Sequence, residues 1–145
     1  MIRALRQPFA ESGFTLVEVL VTVVIFSVGL LGLAGLQATG IKMNHSSLLR
    51  SQATLLAYDI VDSMRANRTN FAAYAITKAA NPYESPADLA QSDINLWLGN
   101  LALALPGGDG AVTLNGNRAT VQLWWDESRS GTVATAPRLT LIAEI

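Results

Sequence analysis

The chain has no cysteine and only one histidine, His45. Without cysteine there is no disulfide framework, no thiolate metal site and no thiol nucleophile. Charge is scarce too: 14% of the 145 residues are charged against 50% hydrophobic, an apolar balance for a small soluble domain. The formal net charge of -1 gives bulk electrostatics no role in binding nucleic acid. The length allows one ordinary domain plus an appendage. The shortage of charge is local. Between Phe14 and Leu36 the only ionisable residue is Glu18, and from Val19 to Ile41 there is none.

That stretch reads FTLVEVLVTVVIFSVGLLGLAGL. As a helix it covers roughly 35 Å, enough for a bilayer core of about 30 Å. Its many Val and Ile residues favour strand in water, but in lipid a lone segment must satisfy its own backbone, and helix is the solution. Three readings compete: a plain signal anchor, a conventional secretory signal cut near the small residues of Gly32-Leu33-Ala34, and a segment in which Glu18 has a task. A carboxylate costs about 2.5–3.5 kcal/mol at the centre of such a helix and less near the interface. An anchor or a signal has no use for it, so Glu18 is a functional candidate that needs a partner.

Ser12-Gly13-Phe14-Thr15-Leu16-Val17-Glu18-Val19-Leu20 resembles the class III signal of type IV prepilins. The resemblance implies a cut after Gly13 on the cytoplasmic face by a prepilin peptidase, which also methylates the new N-terminal Phe14. It makes Glu18 the group that pairs with the amine of a neighbouring subunit. Further stretches are similar to the PilV family of minor pilins, the type IV pilus modification proteins: Val28 to Gln37, Arg50 to Ala53, Ala57-Tyr58-Asp59, Met64 to Asn67, Leu105-Pro106-Gly107-Gly108 and Trp124-Trp125-Asp126. Two departures stand out. Gly35 lies where major pilins usually carry a helix-kinking proline, and no disulfide can close a C-terminal loop. Gly29, Gly32 and Gly35 recur every third residue, for close helix packing or for a helix weak enough to stretch in a filament.

The resemblance implies an α+β, type IV pilin-like fold: a long N-terminal helix, half transmembrane and half amphipathic, packed on a small antiparallel sheet. The expected divisions are a cleaved cytoplasmic leader over 1–13, the transmembrane half over 14–36, the amphipathic half over 37–66 and a periplasmic α+β domain over 67–145. Ile41, Leu48, Leu49, Ala53, Leu56, Ile60 and Met64 supply the apolar stripe of the second half. Residues 67 to 92 read as a loop. Ser92 is a candidate cap for a helix over about 93–105, with Ile94, Trp97, Leu98, Leu101 and Leu105 on one face. Strands are expected over about 111–115, 118–126 and 138–144, the first two joined at Asn115-Gly116. Arg3 and Arg6 before the apolar run nearly balance Lys42 and Arg50 after it. The outward C-terminus, in the periplasm behind the bacterial inner membrane and later on the pilus surface, therefore comes from the resemblance.

Other candidates fare less well. His45 beside Ser46 and Ser47 lacks the acid and anion hole of a hydrolase, and reads as a solvated helix residue. Asp59 and Asp62 share a helix face without a second acidic cluster, and pair more readily with Arg65 than with a metal. Gly107 to Gly110 is a turn, not a calcium loop. Arg65 and Arg68 lack an aromatic platform for DNA. Two glycosylation-like triplets, at Asn44 and Asn67, carry little weight. Trp124 and Trp125 straddle the two faces of a strand; one is core, and the other, where exposed, is a partner contact. The expectation is a minor pilin rather than an enzyme, with no cofactor, no metal and no nucleic acid. Its partners would be the prepilin peptidase and N-methyltransferase, other minor pilins, the major pilin and inner-membrane lipid. A pseudopilin of type II secretion is the nearest rival. A periplasmic binding or enzymatic domain with a conventional signal is the rival of another class.

Overall fold

The computed structural model describes residues 13–127, 131, 133 and 135–145; apart from Gly13, the leader expected over 1–13 lies outside the described residues. The chain divides into two compact units, one up to Lys42 and one from Met43 to Ile145. Helix α1 (Leu16–Ala66) begins in the first unit and ends in the second.

Among the described residues of the first unit α1 is the one helix or strand. Thr15 stands just before it and its Oγ1 accepts the Glu18 N–H at 3.3 Å, which satisfies one of the free donors of the first turn. The hydroxyls within the apolar run are satisfied by carbonyls one turn back: Thr22 donates to Glu18 O at 2.7 Å, Ser27 to Val23 O at 2.6 Å and Thr39 to Gly35 O at 3.0 Å. These bonds remove the main objection to placing hydroxyls in hydrocarbon. Among the described residues this helix is the one long and apolar enough to cross a membrane, and its most apolar window is entirely unburied by the protein.

The second unit has a core built from three sources. From α1 come Leu49, Ala53, Ala57, Ile60, Val61 and Met64, at three- and four-residue steps. The stripe is therefore rotated from the sequence reading: Leu56 is only partly buried, and Ile41 and Leu48 are 70% and 54% exposed. Leu48 and Leu49 are adjacent, about 100° apart on a helix, so only one can centre on the core. A 3-10 helix (Arg68–Tyr74) follows where a loop was expected. The second source is helix α2 (Leu89–Ala104), with Ile94, Trp97, Leu98 and Leu101 inward. It starts earlier than the expected 93, and Asp88 rather than Ser92 caps it. The Asp88 carboxylate accepts the Gln91 N–H, and the Gln91 side chain accepts the Ala87 N–H, each at 2.9 Å. This reciprocal pair satisfies two donors at once.

The third source is an antiparallel sheet in the order β1 (Asp109–Asn115), β2 (Arg118–Trp124) and β3 (Leu139–Glu144). With the long N-terminal helix it gives the α+β, pilin-like arrangement. Ala119, Val121 and Leu123 alternate inward on β2, and Leu139, Leu141 and Ala143 pack beside them from β3. Asn115 pairs with Arg118, so the hairpin loop is Gly116-Asn117, one residue on from the Asn-Gly reading. Only Gly116 has positive φ, +59°, the requirement of a type II′ turn.

Gly110 shows why β1 can lie so close to α2. A Cβ there would fall inside contact distance of the Trp97 ring. Trp97 cannot retreat, because it is 1% exposed and its Nε1 donates to Leu56 O at 2.9 Å. Gly110→Ala is expected to destabilise the unit by about 1–3 kcal/mol, read as a lower chemical-denaturation midpoint. Gly116→Ala meets no atom but is strained by its φ, which makes it a milder comparison.

Tyr74 closes the core between α1 and α2. Its side chain is buried, and its hydroxyl donates to Asp93 Oδ2 at 2.5 Å. Burial, then the Asp93 carboxylate, pushes the phenol from 10.0 up to about 12. A raised acid binds its proton more tightly folded than unfolded. Its contribution is therefore complete below pH 10 and is lost as pH rises from 10 towards 12. Stability should fall over that interval, and Tyr74→Phe should flatten the fall while lowering stability at neutral pH by about 1–3 kcal/mol. Urea titrations at pH 8 and above 10 check both.

Candidate assembly site at the N-terminus

The residues singled out for processing and assembly lie at the start of α1. Gly13 and Phe14 precede the helix in an exposed segment, and the Phe14 ring is 84% exposed. A protease can reach this peptide bond without unfolding anything. Glu18 lies in the first turn of α1, three residues after the capping Thr15. Among the described residues none pairs with its carboxylate.

Position matters for that carboxylate. In the first turn it faces the positive end of the helix dipole, an effect worth about 0.3–1 kcal/mol in water and somewhat more when partly buried. That is less than the cost of a carboxylate deep in hydrocarbon, about 2.5–3.5 kcal/mol. The helix alone therefore relieves only part of the cost. A positive group on another molecule would relieve the rest.

Gly29, Gly32, Gly35 and Gly40 sit within unbroken α1, and a Cβ at any of them would meet nothing within 4 Å. Packing among the described residues therefore gives no reason for them.

The tryptophans correct the sequence reading. Trp124 is 6% exposed and Trp125 is 0% exposed, so neither is a free surface contact. Trp125 continues the inward face of β2. Trp124, on the other face, is covered by Lys78, whose Nζ stands 4.9 Å from its ring centre, and its Nε1 donates to Thr135 O at 3.4 Å. Residues distant in sequence shield the ring, which strand alternation could not reveal.

His45 is also more enclosed than expected. It is half-buried, and its Nε2 is shut off from solvent without a hydrogen bond among the described residues. Sequence reasoning missed the polar cluster next to it. Ser46 donates to Glu127, Glu127 pairs with Arg138 at 2.8 Å, and Arg138 Nε donates to Trp125 O at 2.7 Å. These residues pin the segment after β2 to α1, a structural task. Asp62 and Arg65 do pair, at 3.3 Å, on an exposed face where such a bridge contributes little. Among the described residues no cluster of acidic or histidine side chains could hold a metal.

Residues 9–34 match the prokaryotic N-terminal methylation motif. No curated protein and no solved structure shows significant similarity to the chain. The motif covers the segment that holds Gly13, Phe14, Glu18 and the first apolar turns of α1. It supports a type IV pilin-like protein, related to a pilus or pseudopilus, and proteins bearing it are structural subunits. It implies processing by prepilin peptidase and assembly into a pilin filament. With the apolar half of α1 it indicates membrane anchoring.

Proposed function

We propose that this chain is a minor pilin of a type IV pilus, cut after Gly13, methylated on Phe14 and inserted in the inner membrane with its C-terminal unit in the periplasm. It then joins the priming complex or tip of the filament beside other minor pilins and the major pilin. The carrying observation is the matched motif placed on an exposed apolar helix whose first turn holds Glu18, unpaired among the described residues. Cleavage creates an amine at Phe14 close to the membrane interface. An amine of this kind on one subunit neutralises Glu18 of the next, and the relieved desolvation cost favours docking over remaining alone in lipid.

Gly29, Gly32 and Gly35 then serve contacts between helices, since small residues let backbones approach. The sheet surface is not assigned a partner, because both tryptophans that suggested one are buried. The choice of pilus over secretion pseudopilus rests on the likeness to PilV-type minor pilins.

The test is mass spectrometry of sheared surface pili, combined with deletion of the gene. The expected result is peptides of this chain at low abundance beside the major pilin, and fewer pili in the deletion strain. Loss of type II secretion with normal pili would move the protein to the pseudopilins. Normal pili and normal secretion together would overturn the reading.

A further inference from the structure

The sheet is closed on one side and open on the other. Beyond β1, Ile76 exchanges backbone hydrogen bonds with Val112, at 3.0 and 2.9 Å. Nothing among the described residues does this for β3. Ile145 N donates to Asn117 O at 2.9 Å, and the register runs on through Ala119–Ala143 and Val121–Leu141. Bonding in an antiparallel pair alternates, so the odd residues of β3 face β2. The even ones, Thr140, Ile142 and Glu144, turn their N–H and C=O groups outward. Of these groups only Glu144 O has a partner among the described residues, the Arg65 guanidinium at 3.3 Å.

We propose that this edge takes an added strand, an extended segment of a different pilin-type subunit; the inference rests on the filament reading above. The first reason is the backbone row. Outward N–H and C=O groups repeating about every 7 Å are matched by the backbone of another strand. A helix bonds its own groups internally and leaves the row unsatisfied. The edge also lacks the usual deterrents. β3 has no proline, no lysine and one charge, Glu144, at its end.

The second reason is the core. Ala119, Val121 and Leu123 of β2 are 0% exposed, but Leu139, Leu141 and Ala143, beside them on the same face of β3, are only partly buried. On the other face Ile142 is 60% exposed. The apolar layer thus runs past β3 without a cover, and a strand with apolar residues at alternate positions completes it. The third reason is charge. Glu144 lies in register with Arg118, yet it forms no ion pair among the described residues. A basic or neutral polar residue of the incoming strand suits that row, and an acidic one is disfavoured.

Direction says that the partner is a different chain. Ser46, early in the second unit, meets Glu127, which pairs with Arg138 just before β3. Arg65, at the end of α1, meets Glu144 at the end of β3. β3 therefore runs in the same sense as α1. Two copies joined antiparallel through β3 would hold their α1 helices in opposite senses, which chains anchored through the start of α1 in one membrane cannot do. The β1 edge of a second copy is already taken by its own Ile76.

The chain has no native cysteine, so Ile142→Cys gives it a single thiol. The full-length variant is labelled with a benzophenone maleimide in membrane and sheared-pilus fractions and photolysed, and the adducts are mapped by mass spectrometry. The expected adduct lies in an alternating apolar and polar segment of another pilin-type subunit. Thr113→Cys, exposed on the same sheet face two strands away, should give about tenfold less. Thr140→Pro removes an outward N–H and no bond to β2. It should leave resistance to proteolysis unchanged and lower the Ile142→Cys adduct about tenfold. Thr140→Gln keeps the N–H and should keep the adduct. Where Thr140→Pro does not fold, Thr140→Lys, a charge that deters strand addition, takes its place. Adducts to lipid, to a helix or to a second copy of this chain would overturn the proposal. So would Ile142→Cys yields no higher than those of Thr113→Cys, or yields unchanged by the edge-blocking variant. A mature chain that does not begin at Phe14 sinks the filament reading by itself, whereas a correctly processed chain whose adducts ignore Thr140→Pro sinks the strand pairing alone.

Discussion

A fragment beginning at Ile41 is expected to unfold cooperatively, and one beginning at Asn67 is expected to show no cooperative transition. The shorter fragment loses Leu49, Ala53, Ala57, Ile60, Val61 and Met64, each at most 3% exposed. Burying each of the four larger side chains contributes roughly 1.5–3 kcal/mol, so together they supply about 6–12 kcal/mol. The whole stability of a small domain is about 5–15 kcal/mol. What remains after their removal cannot offset the entropy of ordering α2 and three strands. It has no disulfide to help. Circular dichroism melts of the two fragments check this. A cooperative melt of the shorter one would show that α1 decorates the sheet rather than completing its core.

Glu18→Ala should enter the membrane as well as the parent or better, yet be depleted from filaments about tenfold or more. A tenfold depletion corresponds to about 1.4 kcal/mol, a fraction of the cost of an unpaired carboxylate in hydrocarbon, about 2.5–3.5 kcal/mol. Removing the carboxylate removes that cost, and with it the reason to dock beside a positive amine. Glu18→Gln separates charge from shape, and should behave like Glu18→Ala because a neutral amide gains little from the amine. The check is the ratio of the variant in sheared pili to that in membranes. Parent-level incorporation of both variants would remove the charge pairing from the account.

The parts of the fold that were legible in the sequence are governed by local rules. The long helix showed in its apolar run and later stripe, the hairpin in Gly116, and the candidate assembly residue Glu18 as one carboxylate within an otherwise uncharged segment. The parts that were hidden depend on distant partners. Adjacent leucines at 48 and 49 left the rotation of α1 ambiguous until α2 and the sheet chose Leu49. Trp124 looked available because its cover, Lys78 and Thr135, comes from elsewhere in the chain. Ser46 and Glu127 meet across 81 residues, beyond any local signal. The start of α2 was different. Asp88 and Gln91 have the spacing of a capping box, a local signal stronger than the single hydroxyl of Ser92. The Leu89, Leu96 and Leu103 row was equally plain in the sequence, but an apolar row reads as core until the structure shows that it faces outward.

Intact-mass and N-terminal analysis of the protein from its native membrane tests the central claim most directly. The account predicts a chain that starts at Phe14 and carries a methyl group on its amine. A chain that retains Met1, or one that begins in the mid-thirties after a conventional signal cut, would contradict it.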